Sequence, residues 1–135
     1  MKKLLRNRLF IALISMTLLF NLTACGNSNS DKIVGTWSVS SYKFQGKLCT
    51  QDDIIELFGS TFNDAYGQTT MVFGKDNTVD ITAAENNHHT GTYKLSDNVL
   101  SIYDSDELVT NLVYQNNSLE LELLDVDVVI VFERQ

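Results

Sequence analysis

The sequence contains no proline and only two cysteines among its 135 residues. Without proline there is no rigid polyproline stalk and no PxxP ligand for a partner domain. Three catalytic signatures are also missing: the chain has no G-x-S-x-G elbow, no H-E-x-x-H helix and no P-loop. The sequence therefore gives no reason to expect catalysis, and we predict that the protein is not an enzyme.

Basic residues are scarce, and four of the ten lie within the first eight positions. From Cys25 onward only six basic residues remain (10 − 4) against 17 acids, a net charge of −11 (6 − 17). Phosphate backbones are bound mainly through Lys and Arg, so an acidic domain of this kind is a poor candidate for a nucleic-acid partner. High net charge also keeps a domain soluble.

The first 24 residues have the features of an export signal. Four basic residues precede an apolar run, Leu9 to Leu22, which is interrupted by three polar residues. A charged start, an apolar centre of this length and small residues after it are typical of a secretory signal peptide. A permanent membrane span would need about 20 apolar residues.

The run ends in Leu22-Thr23-Ala24-Cys25, which resembles the lipobox of bacterial lipoproteins. The resemblance implies a diacylglycerol on the Cys25 thiol, cleavage between Ala24 and Cys25, and acylation of the new amino group. Two or more acyl chains hold a protein stably at a bilayer, whereas one chain does so only marginally. The alternative is a chance L-T-A-C within an ordinary signal peptide. With Gly26 rather than Asp after the cysteine, the expected location is the exported face of a membrane, the outer membrane in a Gram-negative host.

Three segments are therefore predicted: a signal peptide over 1–24, a lipidated cysteine and polar tether over 25–32, and one domain over 33–135. No other cofactor is expected. Lipidation of Cys25 leaves Cys49 without a disulfide partner. Cys49 is either a small buried hydrophobe or a reactive thiol just before a helix start.

The domain is predicted to be mainly β, because short runs of alternating apolar and polar residues are separated by turns rich in Asn, Asp and Gly. A helix is predicted from Gln51 to Asn63, after an N-cap at Thr50. The predicted strands are Ile33–Phe44, Thr69–Phe73, Thr78–Ala83, Thr90–Leu95, Val99–Tyr103, Leu108–Tyr114, Leu119–Leu124 and Val128–Glu133. Eight antiparallel strands in a meander, with one short helix inserted after the first, suit a barrel or a sandwich.

Gly35-Thr36-Trp37 opens the domain, and Thr90-Gly91-Thr92-Tyr93 begins a later hairpin. Together with the eight-stranded meander, these residues resemble the lipocalin-like (calycin) group. The resemblance implies a single eight-stranded barrel in which Trp37 packs across the base. Larger lipocalins stack an Arg on this Trp, and Arg134 is the candidate here. A second similar group is the small META-type envelope domain, which a Gly-x-Trp strand also opens.

The predicted pocket residues are the barrel-floor Trp37 together with Phe58, Phe62 and Tyr93, and the helix is a predicted lid or plug. Such aromatics either line an apolar pocket or simply fill the core. Two functions follow from these alternatives. The first is a lipid-anchored envelope protein that holds a small apolar or amphipathic ligand. The second is a filled interaction or structural lipoprotein whose partner is another envelope protein.

No metal site is predicted. His88 and His89 are adjacent, so on a strand their side chains point to opposite faces, and we expect an exposed hairpin edge. The acidic turns Asp104–Glu107 and Asp125–Asp127 lack the glycine and the final Glu of a helix–loop–helix calcium site. They are better explained as solvated turn residues.

Overall fold

The computed structural model of the protein describes residues 30–84 and 87–135. The predicted signal peptide, Ala24 and Cys25 lie outside this part of the chain. A single 3₁₀ turn, Ser30–Lys32, precedes the first strand. The strands are β1 Gly35–Phe44, β2 Lys47–Cys49, β3 Thr70–Phe73, β4 Thr78–Thr82, β5 His88–Ser96, β6 Val99–Asp104, β7 Glu107–Gln115, β8 Ser118–Leu123 and β9 Val128–Arg134. Two helices, α1 Gln51–Phe58 and α2 Ser60–Tyr66, lie between β2 and β3.

Eight of the described strands form a closed antiparallel barrel. The order runs from β1 through β3 to β9, and β9 pairs back with β1. Closure leaves this ring of strands without a free edge. The predicted mainly β, eight-stranded meander is therefore confirmed. The short β2 is an additional strand, which pairs with the last residues of β1.

The antiparallel pairings give the barrel two different ends. Gly35, at the start of β1, lies beside Phe73, at the end of β3, and the turns β3–β4, β5–β6 and β7–β8 lie at the same end, which we call the closed end. The connections β1–β2, β4–β5, β6–β7 and β8–β9 lie at the opposite end, which we call the mouth. The chain therefore enters the barrel at the closed end.

Tight turns account for the short spacing of the strands. Asp97, Asn116 and Asn117 have φ values of 54°, 52° and 59°. Asn and Asp tolerate this left-handed conformation better than other side chains that carry a Cβ. Two-residue loops with positive φ match the right-handed twist of the strands that they join. The turn chemistry in the sequence thus sets the register of successive hairpins.

Alternation along each strand builds the core. Trp37 and Tyr42 are both buried although they are five residues apart, because a β-bulge between Val39 and Ser41 shifts the alternation by one residue. Further along the sheet, the buried side chains include Phe73, Val79, Tyr93, Leu100, Leu112, Leu119, Ile130 and Phe132. Full burial of one such side chain stabilises the fold by roughly 1.5–3 kcal/mol.

The insertion differs from the single predicted helix in two respects. It follows the β1–β2 hairpin rather than the first strand alone, and it consists of two helices that meet at Gly59. Gly59 has φ 88° and ψ 169°, a conformation that only glycine adopts readily. This conformation ends α1 and redirects the chain into α2.

Candidate functional site

The closed end is formed by Trp37. Its indole Nε1 donates a hydrogen bond to the Ile33 carbonyl at 2.8 Å, and the guanidinium of Arg134 lies 4.9 Å from the ring centroid. Arg134 also donates to the Val34 carbonyl at 2.6 Å and to the Lys32 carbonyl. Cation–π stacking and charged hydrogen bonds together hold the incoming chain across the base. Trp37 is thus buried at the closed end, and Arg134 lies over its ring.

A second aromatic pair lies near the closed end. Tyr93 packs edge-on against Phe73, with ring centroids 5.0 Å apart. The Tyr93 hydroxyl donates to the Gly74 carbonyl at 2.8 Å. Burial, followed by the negative charges of Asp76 and Asp31, raises the pKa of Tyr93. The phenol therefore stays neutral at physiological pH and fastens β5 to the β3–β4 turn.

At the mouth, the helices rest on the barrel through aromatic rings. Phe58 of α1 meets Phe44 of β1 edge-on, with centroids 5.4 Å apart. Phe62 of α2 stacks on Phe58 at 5.3 Å and lies 6.3 Å from Tyr42. Tyr66 continues the row, 4.9 Å from Phe62. This aromatic row makes α1 and α2 a partial lid over one side of the mouth.

Tyr42 lies beneath that lid and is only 1% exposed. Within the described part of the chain its hydroxyl has no hydrogen-bond partner. Burial raises the pKa of this phenol. An unpaired buried hydroxyl lowers the free energy of unfolding by roughly 1–3 kcal/mol, so the Tyr42 hydroxyl destabilises an otherwise apolar region of the fold.

Inside the barrel lies a cavity of about 400 Å³, which we call the main cavity. Its wall combines inward-facing strand residues with Ala65 and Tyr66 of α2, and all of its lining side chains are uncharged. Side chains of β3, β4, β6, β8 and β9 supply most of the surface: Met71, Ile81, Ile102, Leu121, Ile130 and Phe132. Pockets for small molecules commonly have about 300–1,000 Å³ and apolar walls, so the main cavity has the dimensions of a ligand site.

A second cavity of about 330 Å³, which we call the rim cavity, adjoins the main cavity. It shares Ile81 and Ile102 with the main cavity, and its lining also includes His89 and Asp104. These residues come from the ends of β4, β5 and β6 that face the mouth. The two cavities thus adjoin along a common isoleucine wall, and Asp104 in the rim cavity is the one acidic residue in either lining.

Gly91 explains why the wall opens at this level. A Cβ added to Gly91 would lie 2.4 Å from the Tyr103 carbonyl oxygen, closer than any side chain could tolerate. The missing side chain lets β5 and β6 approach each other closely and leaves space beside them. The sequence pattern gave Gly91 a role in the hairpin, whereas its position beside the rim cavity depends on the folded sheet.

The four predicted pocket residues occupy three different places. Trp37 lies at the closed end beside Ile33, Tyr93 lies beside the β3–β4 turn, and Phe58 and Phe62 lie in the lid. None of the four is among the residues that line the main or the rim cavity. Their predicted contact with a ligand stays a prediction. The α2 residues that do reach the main cavity are Ala65 and Tyr66, which the helical pattern did not single out.

The other residues considered from the sequence, Cys49, His88 and His89, lie outside the main cavity. Cys49 is partly buried, and its thiol donates to the Lys47 carbonyl at 3.4 Å. His88 and His89 are exposed, and a ring nitrogen of His89 is 2.7 Å from the Asn87 side-chain oxygen. Across residues 30–84 and 87–135, no three His, Cys, Asp or Glu side chains cluster as a metal site would require.

One feature concerns membranes directly. Among the described helices, none has both the length and the apolar character that crossing a bilayer would require.

Comparison with known proteins places the domain in a wider group. A family model described as a lipocalin-like domain matches residues 33–123. No curated protein matches the chain. Among solved structures, a crystal structure of a DUF4847 family protein from Bacteroides vulgatus is similar, with 16% sequence identity and a TM-score of 0.48. That similarity covers 75% of this chain and 92% of the other.

Proposed function

The chain belongs to the lipocalin-like domain family, and from this premise we propose that it is a lipid-anchored envelope protein that holds a small apolar or amphipathic ligand in its barrel. The observation that carries the proposal is the main cavity, a space of about 400 Å³ inside the barrel whose lining side chains are all uncharged. The lipocalin-like fold is generally a binding fold without enzymatic activity. We therefore assign the barrel to ligand binding and assign no reaction to it.

The anchor is the second part of the proposal. Its support is the Leu22-Thr23-Ala24-Cys25 motif behind a charged and apolar leader. Lipid on Cys25 would hold the domain at the exported face of a membrane through a tether of seven residues, which spans at most about 25 Å. The membrane is then a partner through the anchor, and the ligand or another envelope protein is a partner through the barrel.

Ligand binding is tested with an apolar fluorescent probe. We expect N-phenyl-1-naphthylamine to bind the full-length Cys25→Ala chain, which cannot be lipidated, and to brighten on transfer from water. Thr110 lines the main cavity, so Thr110→Trp should fill part of it and weaken probe binding by about tenfold, or 1.4 kcal/mol. Thr92→Trp is the matched control, because Thr92 is exposed on β5. Equal binding by both variants would contradict a site in the main cavity.

The anchor is tested with the only two cysteines of the chain. Cys25→Ala should abolish both labelling by radioactive palmitate and cleavage of the leader. Cys49→Ala should leave both unchanged, because Cys49 lies in the barrel domain. Labelling of the Cys25→Ala chain would overturn the lipid assignment and would leave the ligand proposal untouched.

A second function has an observation of its own. Leu48, Leu57 and Leu124 are 73%, 53% and 82% exposed and all lie at the mouth end of the molecule. Exposed apolar side chains gathered at one end are typical of a contact surface for another protein. On this alternative the domain is an interaction or structural lipoprotein, and the fluorescent probe should fail to bind even at high micromolar concentration.

A further inference from the structure

The positive charges of the domain lie away from both cavities. Residues 30–84 and 87–135 contain six basic side chains: Lys32, Lys43, Lys47, Lys75, Lys94 and Arg134. None of them lines the main cavity or the rim cavity. Arg134 is engaged with Trp37 at the closed end. A ligand in the barrel would therefore meet no basic side chain of the described residues.

The two basic residues nearest the mouth belong to β1 and β2, on the strands that the rim cavity does not use. Lys43 pairs with Glu120 at 2.5 Å, and Lys47 is exposed. Lys94 is exposed on β5 between the inward-facing Tyr93 and Leu95, and its ammonium lies 5.3 Å from the Tyr103 ring. These positions leave the mouth without a positive counter-charge directed inward.

Negative charge, in contrast, is concentrated at the β6–β7 and β8–β9 connections of the mouth. Asp104 lines the rim cavity, and Asp106 and Glu107 follow it in the β6–β7 turn. Asp125 and Asp127 occupy the β8–β9 connection at the same end, and all five carboxylates are exposed. Charges of one sign around an opening favour ligands of the opposite sign and repel ligands of the same sign.

The two cavities differ in the charge of their linings, so each is suited to a different part of one ligand. Both cavities are mainly apolar, and the main cavity is uncharged, whereas the lining of the rim cavity includes the acidic residue Asp104 and the ring of His89. Their shared wall of Ile81 and Ile102 allows one molecule to extend from the first into the second. An apolar tail would lie inside, with a polar head close to Asp104.

From this arrangement we infer that the ligand is a single-chain amphiphile with a positively charged head, its tail in the main cavity and its head in the rim cavity beside Asp104. The inference rests on the proposed ligand-binding function. An anionic head, such as the carboxylate of a fatty acid, would lose hydration beside Asp104 without gaining a cation, which is unfavourable for a charged group.

Three probes with the same dodecyl tail test the charge of the head. They are dodecyltrimethylammonium, uncharged dodecyl maltoside and dodecanoate, each kept below its micelle concentration. Each is titrated into the full-length Cys25→Ala chain bound to N-phenyl-1-naphthylamine, and displacement gives the Kd. We expect the cation to bind at least about tenfold more tightly than dodecanoate. Raising the salt from 0.15 M to 1 M should narrow this difference, because the screening length falls from about 8 Å to about 3 Å.

Two matched variants test whether Asp104 causes the preference for a positively charged head. Asp104→Asn removes one charge at nearly constant size and should weaken binding of dodecyltrimethylammonium by about two- to fivefold, as expected for a partly exposed ion pair. Binding of dodecyl maltoside should not change. Asp97→Asn makes the same change in the β5–β6 turn at the closed end and should leave all three Kd values unaltered.

The outcomes distinguish the inference from the function on which it rests. If N-phenyl-1-naphthylamine itself does not bind, the proposed function fails and this inference fails with it. If the probe binds but no dodecyl compound displaces it, the inference about the ligand is overturned and the proposed function is not. If dodecanoate binds as tightly as the cation, the barrel still binds amphiphiles and the inference about the head is overturned. Equal effects of Asp104→Asn and Asp97→Asn would also overturn it, because the attraction would then come from net charge alone.

Discussion

Tyr42 and Tyr93 are buried to the same extent, each 1% exposed, but their hydroxyls differ. The Tyr93 hydroxyl donates to the Gly74 carbonyl, and the Tyr42 hydroxyl has no partner among the described residues. Tyr42→Phe should therefore raise the free energy of unfolding by about 1 kcal/mol, and Tyr93→Phe should lower it by a similar amount. Urea unfolding followed by Trp37 fluorescence measures both changes. A less stable Tyr42→Phe chain would mean that the hydroxyl has a partner.

The same two residues predict a response to alkaline pH. Burial raises the pKa of both phenols above the ordinary value of 10.0. Each phenol thus contributes stability that is fully present below about pH 10 and is lost as the pH rises through the folded-state pKa. Tyr42→Phe should make the loss of stability above pH 10 less steep in urea unfolding at stepped pH. An unchanged slope would contradict this expectation.

Single residues also show which parts of the site the sequence could predict. The resemblance to lipocalin-like proteins implies that an Arg stacks on Trp37, with Arg134 as the candidate, and the structure brings the two together although they are 97 positions apart. The residues that line the cavities could not be predicted from the sequence. Ile81, Ile102 and Thr110 look like any inward strand residue, and whether they fill or border a space depends on how β4, β6 and β7 curve around it.

At the scale of elements, α1 depends on its first turn. The Thr50 hydroxyl accepts a hydrogen bond from the Asp53 amide at 3.2 Å, and the Asp53 carboxylate accepts one from the Thr50 amide at 2.8 Å. The Thr50 backbone and hydroxyl donors lower the pKa of Asp53. This contribution is present above the unfolded pKa of Asp53 and is lost as the pH falls through its lower folded value.

Thr50→Ala should therefore cost about 1 kcal/mol of stability, the usual value for the loss of a helix cap. The amide hydrogens of α1 should exchange faster, beginning with Ile54, whose amide bonds to the Thr50 carbonyl. Ser60→Ala serves as the control, since α2 begins without a side-chain cap. Similar exchange of α1 in both variants would show that ring packing, rather than the cap, holds the lid.

The strands and helices also show which parts of the fold the sequence predicts and which it does not. Strand alternation and Asn or Asp turns placed all eight barrel strands to within two residues at each end. The sequence did not predict β2, because Lys47-Leu48-Cys49 is too short to show an alternating pattern. The sequence did not predict the break between α1 and α2, because the apolar spacing of Ile54, Phe58 and Phe62 continues across Gly59. Only the backbone conformation of Gly59 interrupts the helix.

At the scale of the whole molecule, the lack of proline has a kinetic consequence. Closure of the barrel by β1 and β9 joins residues that are distant in the sequence, so folding should take about milliseconds to seconds. Proline isomerisation, which takes about 10–100 s, has no proline to act on. Stopped-flow refolding of the Cys25→Ala chain should lack a phase on that timescale. Such a phase, if independent of protein concentration and of added prolyl isomerase, would contradict the prediction.

The arrival of the chain at the closed end fixes how an anchored molecule would face its surroundings. Ile33 lies under Trp37, and the mouth opens at the far end of the strands. On the proposed seven-residue tether, the base of the barrel would be the end nearer the bilayer, and the opening would lie at the far end. Cargo would then be exchanged with soluble donors or with a facing surface, not by lateral diffusion from the membrane that carries the anchor. The loading rate should accordingly depend on the concentration of free ligand and not on the lipid composition of that membrane.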